Sequence, residues 1–184
     1  MPEVMTNNLK ETQEIAGKFI NDLIKDGKKA DNALVVALEG ELGSGKTSFV
    51  QGVAAALGIK EHATSPTFVL IKRYRLTPPF SLPLHKGRVA RPPSLPARHC
   101  QSLAGGREGV SGRGVGFSNF YHIDCYRIEK SWQLQELGFE EIINNPENIV
   151  AIEWPERISE ILPKDAIKIK FEFVDENKRK IVFM

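Results

Sequence analysis

Apolar residues near the start of the chain recur at spacings of three and four, which predicts an amphipathic helix with one buried face. Asn8, followed three residues later by Glu11, has the pattern of a capping box, and Gly27 predicts the end of the helix. The apolar positions that share the buried face are Ala16, Phe19, Ile20, Leu23 and Ile24.

The pattern changes at residues 33–38, which are continuously apolar and partly β-branched. Such a run is typical of a parallel strand buried on both faces. A glycine-rich turn follows, and then a second helical pattern begins at about Lys46 and continues to Leu57, with Gly58 as its predicted end. A strand, a turn and a helix are therefore expected in direct succession.

The remaining ordered part of the chain also alternates between strand and helix patterns. Strands are predicted at 68–74, 119–127 and 149–154, and short helices at 132–137, 140–143 and around 158–161. Two alternating segments, 166–174 and 180–183, flank Asp175-Glu176-Asn177 and predict a hairpin.

The turn after the first strand carries candidate chemistry. The stretch from Gly40 to Thr47 fits the phosphate-binding pattern G-x-x-x-x-G-K-[ST] at every fixed position. Its glycines allow backbone N–H groups to surround an anion at a helix start, while Lys46 reaches phosphates and Thr47 a magnesium ion. A chance glycine turn is the alternative, but the flanking strand and helix argue against it. The predicted nucleotide-binding residues here are Gly40, Gly43, Ser44, Gly45, Lys46, Thr47 and Ser48.

With this motif, the order of elements predicts an α/β fold of the P-loop NTPase type. We expect a mostly parallel sheet with flanking helices, a C-terminal β-hairpin, and one domain over residues 1–184 that contains an insertion.

Two carboxylates follow the later apolar runs, where an open α/β sheet would place them near the phosphates. Asp124 and Glu153 could each hold magnesium, directly or through water, or act as general base for an attacking water. The alternative is that both are solvated strand ends. Trp154 would either pack in the core or cover the nucleotide.

A hydroxyl-rich turn at 64–67, which includes Thr67, could contact magnesium, the γ phosphate or a partner, or could merely start a strand. A guanine-binding N-K-x-D is missing, because the one Asn-Lys pair, at Asn177, is followed by Arg179 and Lys180. This absence favours ATP over GTP.

Residues 77–118 break every periodic pattern and read as a flexible basic insertion. They hold six of the eleven prolines, seven of the fifteen glycines, and six Lys/Arg against one acid. Pro-Phe-Ser-Leu-Pro at 79–83 is echoed by Pro-Ser-Leu-Pro at 93–96, and Gly-Arg-Glu-Gly stands at 106–109, which together suggest a translated inverted-repeat DNA element. A basic arm that binds RNA is the alternative.

Composition adds few constraints. The net charge of +2 gives no overall signal for nucleic acid, and no apolar run approaches the roughly 20 residues that span a bilayer. The cysteines, Cys100 and Cys125, have neither disulfide-framework nor zinc-ligand spacing. A cytoplasmic protein without membrane contact is expected.

Five motifs, in order, resemble the bacterial TsaE (YjeE-like) ATPases. They are the Gly40 to Thr47 loop, Ser-Pro-Thr-Phe at 65–68, His-Ile-Asp-Cys-Tyr-Arg at 122–127, Leu-Gly-Phe at 137–139, and Ile-Glu-Trp-Pro-Glu at 152–156. The resemblance implies a small P-loop fold that acts with the TsaB and TsaD proteins to make threonylcarbamoyladenosine on tRNA. ATP hydrolysis would support the cycle of that complex, so tRNA is an indirect partner.

The resemblance also implies roles for individual residues. Asp124 would be the Walker-B-like acid, Glu153 would lie at the magnesium ion and catalytic water, and Trp154 beside it. Thr12 would approach the base, and Thr67 would belong to a switch-like segment. The predicted catalytic residues are Lys46, Asp124 and Glu153, and the predicted magnesium ligands are Thr47, Asp124 and Glu153.

The predicted function is therefore a Mg²⁺-dependent ATPase required for tRNA threonylcarbamoyladenosine modification. Two alternatives remain: a small-molecule P-loop kinase, for which no acceptor pocket or arginine-bearing lid is evident, and a non-catalytic nucleotide-gated binding module. The insertion departs from the family pattern, which joins the flanking strands by a short turn.

Overall fold

The computed structural model describes residues 2–26, 31–60, 70–76 and 116–184. The predicted helix end at Gly27 and the predicted hydroxyl-rich turn with Thr67 lie outside these residues. So does the predicted insertion, apart from its last three positions, 116–118.

Within the described residues the chain forms seven strands and four α-helices. The strands are β1 (Glu3–Thr6), β2 (Leu34–Gly40), β3 (Ile71–Arg75), β4 (Asn119–Asp124), β5 (Asn148–Glu153), β6 (Ile167–Phe173) and β7 (Arg179–Phe183). The helices are α1 (Leu9–Lys25), α2 (Lys46–Ala56), α3 (Trp132–Gln135) and α4 (Phe139–Ile143), and a 3₁₀ helix spans Pro155–Ile158.

The strands form one sheet in the order β1-β7-β6-β2-β5-β4-β3. Its centre is parallel, because β2 pairs in parallel with β5 and β6, and β5 pairs in parallel with β4. The outer pairings, β3 with β4, β6 with β7 and β1 with β7, are antiparallel. The predicted α/β fold is confirmed, with a sheet that is parallel in its centre and with a C-terminal hairpin, whereas β1 was not predicted.

Helix α1 begins at the predicted cap. Asn8 Oδ1 accepts a hydrogen bond from the Glu11 backbone N–H at 2.9 Å, and Glu11 Oε2 accepts one from the Asn7 N–H at 2.7 Å. The backbone bond from Asn7 holds the pKa of Glu11 below its ordinary value. The backbone N–H groups on both sides of the Asn8 cap thereby have side-chain hydrogen-bond acceptors.

Helices α1 and α2 pack closely on one face of the sheet, and α3 and α4 cover the other. The approach of α1 to α2 requires Gly52, because a Cβ there would overlap the backbone of Gln13. The sheet face under α1 and α2 carries Phe120, His122 and Asp124, which alternate along β4.

Three parallel strands end at the same edge of the sheet. The register pairs Leu38 of β2 with Glu153 of β5, and Glu153 with Asp124 of β4. The loop between β2 and α2, the start of α1 and the β6–β7 turn border this edge. Among the described residues, no helix is long and apolar enough to cross a membrane.

Candidate functional site

The loop between β2 and α2 is shaped by glycines at the positions of the phosphate-binding pattern. Gly40, Gly43 and Gly45 have φ values of 144°, 75° and 101°, which side chains with a Cβ rarely adopt. At Gly40 a Cβ would also lie 2.5 Å from the Phe171 carbonyl oxygen. Helix α2 therefore starts at Lys46 with its free N–H groups at a turn that can enclose an anion.

Lys46 is buried and held by its own loop. Its Nζ donates hydrogen bonds to the carbonyl oxygens of Gly40 at 2.7 Å and Glu41 at 2.8 Å. Burial lowers the pKa of Lys46 from its ordinary value, and the nearby carboxylates of Glu153, Glu156 and Asp124 oppose this change. The ammonium group that the sequence predicts for phosphate binding is thus hydrogen-bonded to two carbonyl oxygens of its own loop.

Trp154 covers this lysine from a strained backbone. The Lys46 Nζ lies 4.0 Å from the centroid of the Trp154 ring, which also contacts the Tyr126 ring. The Trp154 φ of 59° and ψ of 50° place a bulky residue in the left-handed region, at a cost of about 1 to 3 kcal/mol. Pro155 follows and begins the 3₁₀ helix. Such strain is typical of residues held in place for function.

Glu153, at the end of β5, contacts both the first turn of α2 and strand β4. Its Oε2 accepts a hydrogen bond from Thr47 Oγ1 at 2.9 Å, and its Oε1 lies 2.8 Å from His122 Nε2. The Glu153 side chain is only 3% exposed and that of His122 is fully buried. The predicted magnesium ligand Thr47 is therefore in direct contact with Glu153, whose strand β5 lies directly beside β2.

Asp124 lies one strand further out, opposite Glu153 in the register. It is buried, and its Oδ1 accepts a hydrogen bond from the Tyr126 backbone N–H at 3.0 Å. Its neighbour Cys125 points into the opposite core, where burial, with Asp124 contributing, raises the thiol pKa to about 12. This thiol is unreactive at neutral pH.

A cavity of about 440 Å³ connects these groups. The phosphate loop, Asp124, Glu153 and Trp154 line one side of it, and the start of α1 lines another. Thr12 is part of that lining, although its hydroxyl is buried against Thr6 Oγ1 at 2.9 Å. The predicted site residues in the lining are Thr12, Gly43, Gly45, Lys46, Thr47, Ser48, Asp124, Glu153 and Trp154.

The predicted residues Gly40 and Ser44 belong to the loop backbone that supports the cavity. Ser44 is buried, and its Oγ has no hydrogen-bond partner among the described residues. Thr67 lies outside the described residues, so its role stays a prediction.

Two residues of the site were missed by sequence reasoning. Arg179, at the start of β7, lies with its side chain against Gly45, and its Nη1 donates to carbonyl oxygens of the hairpin turn, including that of Asp175 at 2.6 Å. The other is His122, which the sequence indicates only as a strand residue, because no nucleophile and base pattern joins it to Cys125. A signal for His122 existed, because it stands two positions before Asp124 and so shares its face.

The donor set fits a nucleoside triphosphate with Mg²⁺. The loop has backbone N–H groups and an ammonium group that could bind phosphates, while the side chains of Thr47, Glu153 and Asp124 would offer only oxygen atoms to a metal ion. Mg²⁺ prefers oxygen ligands and commonly takes one or two from carboxylates and the rest from phosphate and water. Accordingly, no group of three or more His, Cys, Asp or Glu in the described parts of the chain could hold a metal by itself.

A family model described as "Threonylcarbamoyl adenosine biosynthesis protein TsaE" matches residues 6–85 and 111–181. The chain belongs to the TsaE family. TsaE proteins take part in the biosynthesis of threonylcarbamoyladenosine in tRNA. The internal stretch between the two matched segments, 86–110, lies inside the predicted insertion.

Individual TsaE proteins are similar over nearly the whole chain. The Rickettsia prowazekii TsaE is 31% identical over 174 residues, which are 94% of this chain and 88% of that protein. The Bacillus subtilis TsaE is 30% identical over 178 residues, covering 97% and 82%. The crystal structure of B. subtilis YdiB matches with a TM-score of 0.60 at 25% identity, over 99% of this chain and 83% of that one.

Proposed function

We propose that this TsaE-family chain is a magnesium-dependent ATPase that supports threonylcarbamoyladenosine formation on tRNA. The observation that carries the proposal is the 2.9 Å hydrogen bond from Thr47 Oγ1 to Glu153 Oε2, beside the phosphate loop. It links the hydroxyl that ends the phosphate-binding pattern to a buried carboxylate, as a site for Mg²⁺ and phosphate requires.

The roles of the loop residues follow from their contacts. Lys46 would exchange its bonds to the Gly40 and Glu41 carbonyl oxygens for bonds to the β and γ phosphates. The N–H groups of the loop and of the first turn of α2 would bind the same phosphates, because they lack partners within the helix. These interactions hold the phosphates in place for attack.

The carboxylates would hold the metal and orient the nucleophile. Thr47 and Glu153 are assigned to the metal, directly or through water, because they already contact each other. Asp124 is assigned to a metal-bound or attacking water, for which it can accept a proton. Mg²⁺ supplies positive charge that neutralises the phosphate oxygens.

ATP is the proposed nucleotide because no guanine-binding motif is present. The base would enter the cavity between the α1 start, near Thr12, and the hairpin turn, where Asn177 lies in the lining. Neither segment carries the Asn-Lys-x-Asp arrangement that reads guanine.

The proposed partners are the TsaB and TsaD proteins, and tRNA is reached only through that complex. The resemblance to TsaE ATPases supports these partners and a cytoplasmic location. A slow intrinsic rate and stimulation by the partners are expected, since a partner can order the site or add an arginine.

Calorimetric titration with ATP and GTP, paired with phosphate release, tests the proposal. Wild type should bind ATP more tightly than GTP and release phosphate only with Mg²⁺, and Lys46→Ala should lose ATP binding. Equal ATP affinity in Lys46→Ala would refute the site. ATP binding without phosphate release, even with TsaB and TsaD, would favour a nucleotide-gated module, and transfer of the phosphate to a metabolite would favour a kinase.

A further inference from the structure

His122 lies outside the residues that line the cavity and reaches the site through Glu153. Its Nε2 is 2.8 Å from Glu153 Oε1, while the other oxygen of the same carboxylate accepts from Thr47 at 2.9 Å. The three side chains form a chain from β4 through β5 to the first turn of α2. Since His122 and Glu153 are buried, water does not compete for the bond between them.

The hydrogen-bond pattern assigns the tautomer of His122. Glu153 Oε2 accepts a hydrogen bond from the Thr47 hydroxyl, and Oε1 lies against His122 Nε2, so both carboxylate oxygens are taken as acceptors. His122 then carries its proton on Nε2 and donates it to Oε1. The other ring nitrogen, Nδ1, has no hydrogen-bond partner in the described part of the chain, which suits an unprotonated nitrogen better than an N–H.

Without this donor the Glu153 carboxylate would lose its orientation. Oε1 would then be a buried acceptor without a hydrogen-bond donor, which costs free energy. The carboxylate would therefore rotate about the last side-chain bond toward another donor. Ala151 stands beside His122 on β5 and offers no polar side chain in its place. Rotation would move Oε2 away from Thr47.

We propose that His122 is a positioning residue that fixes the Glu153 carboxylate toward Thr47 and thereby sets the Mg²⁺ dependence of the site. The inference rests on the proposed function, because Glu153 is a metal-site residue only there. His122 itself does not line the cavity in which phosphate and metal are proposed to bind. Its removal should therefore spare nucleotide binding in the absence of Mg²⁺ and impair what Mg²⁺ adds.

The test compares three substitutions in the full chain. His122→Gln keeps an N–H donor near the position of Nε2, His122→Asn places its N–H too far from Glu153, and His122→Leu removes the donor. Ile123→Val is the control, because Ile123 is a buried neighbour on the opposite face of β4. ATP affinity is measured in EDTA and in Mg²⁺, and phosphate release is measured across a Mg²⁺ titration with TsaB and TsaD present.

His122→Leu should lower kcat and the Mg²⁺-dependent gain in ATP affinity by about 10-fold or more, as for other residues that orient a metal ligand. Its ATP affinity in EDTA should match wild type. His122→Gln should recover most of both losses, and His122→Asn should not. The inference is overturned if His122→Leu equals wild type in Mg²⁺, or if Gln and Asn behave alike. If His122→Leu does not fold, the Gln and Asn pair decides.

Failure of the proposed function gives a different result. If wild type never releases phosphate but Mg²⁺ still tightens ATP binding, the ATPase proposal fails, and loss of that tightening in the variants still supports the role of His122. If Mg²⁺ has no effect on wild-type binding, both proposals are overturned.

Discussion

The ammonium group of Lys46 lies 4.0 Å from the ring centroid of Trp154 while it donates to two carbonyl oxygens of its own loop. A phosphate that binds Lys46 must compete with these contacts. Lys46 and Trp154 are therefore coupled: movement of the ammonium group changes the surroundings of the indole ring.

This coupling predicts that Trp154 fluorescence responds to ATP. The second tryptophan, Trp132, is 53% exposed on α3 and provides the control. Titration of Trp132→Phe should keep the ATP-dependent change in emission, and Trp154→Phe should lose it while ATP still binds by calorimetry. A full signal in Trp154→Phe would contradict the coupling.

Close packing of α1 on α2 predicts opposite effects of two glycine substitutions. A Cβ at Gly52 would overlap the Gln13 backbone, so Gly52→Ala should reduce the free energy of unfolding by about 1 to 3 kcal/mol. A Cβ at Gly17 would meet Ala56 Cβ at 3.4 Å, an ordinary contact, so Gly17→Ala should be neutral or stabilising by up to about 1 kcal/mol. Urea unfolding measures both; a stabilising Gly52→Ala would show that the helices do not pack this closely.

The predicted insertion is attached at the far end of the sheet from the carboxylates. The Leu76 N–H donates to the Ser118 carbonyl oxygen at 2.9 Å, so the ends of the segment lie side by side. Asn119 begins β4 and Asp124 ends it, about 17 Å away at 3.3 Å per residue. The described residues that flank the segment therefore lie about one strand length from Asp124.

Replacing residues 77–115 with a short Asn-Gly turn should therefore preserve cooperative unfolding and the ATP affinity of the site. Loop shortening removes only a logarithmic entropy cost, of about 2 kcal/mol at most. Thermal unfolding and calorimetry test this, with the full chain as reference. Loss of ATP binding in a variant that still unfolds cooperatively would mean that the segment contributes to the site.

The parts of the fold that the sequence predicts are those set by local patterns. The loop from Gly40 to Thr47, the capping box at Asn8 and the terminal hairpin each depend on a few neighbouring residues. Strand β1 was not predicted, because its four residues are too few to show an alternating pattern and are held in the sheet by pairing with β7. The approach of Arg179 to Gly45 was missed because it depends on how the hairpin packs on the loop.

The sequence predicts which residues form the site but not which of their side chains contact each other. The sequence predicts Asp124 and Glu153 as strand-end acids, but the hydrogen bond between Glu153 and Thr47 depends on strand β5 lying beside β2. The bond from His122 to Glu153 likewise depends on the register between β4 and β5. The roles of Thr67, ATP, Mg²⁺, TsaB and TsaD stay predictions.

The most direct test of the central claim is single-turnover hydrolysis of radiolabelled ATP by wild type and Glu153→Gln, with TsaB and TsaD present. Wild type should release phosphate in Mg²⁺ and not in EDTA. Glu153→Gln should bind ATP in EDTA as wild type does but release phosphate at least about 10-fold more slowly in Mg²⁺, because a neutral amide holds Mg²⁺ less well than a carboxylate. Release by Glu153→Gln at the wild-type rate would contradict the claim that the buried acid beside Thr47 serves ATP hydrolysis.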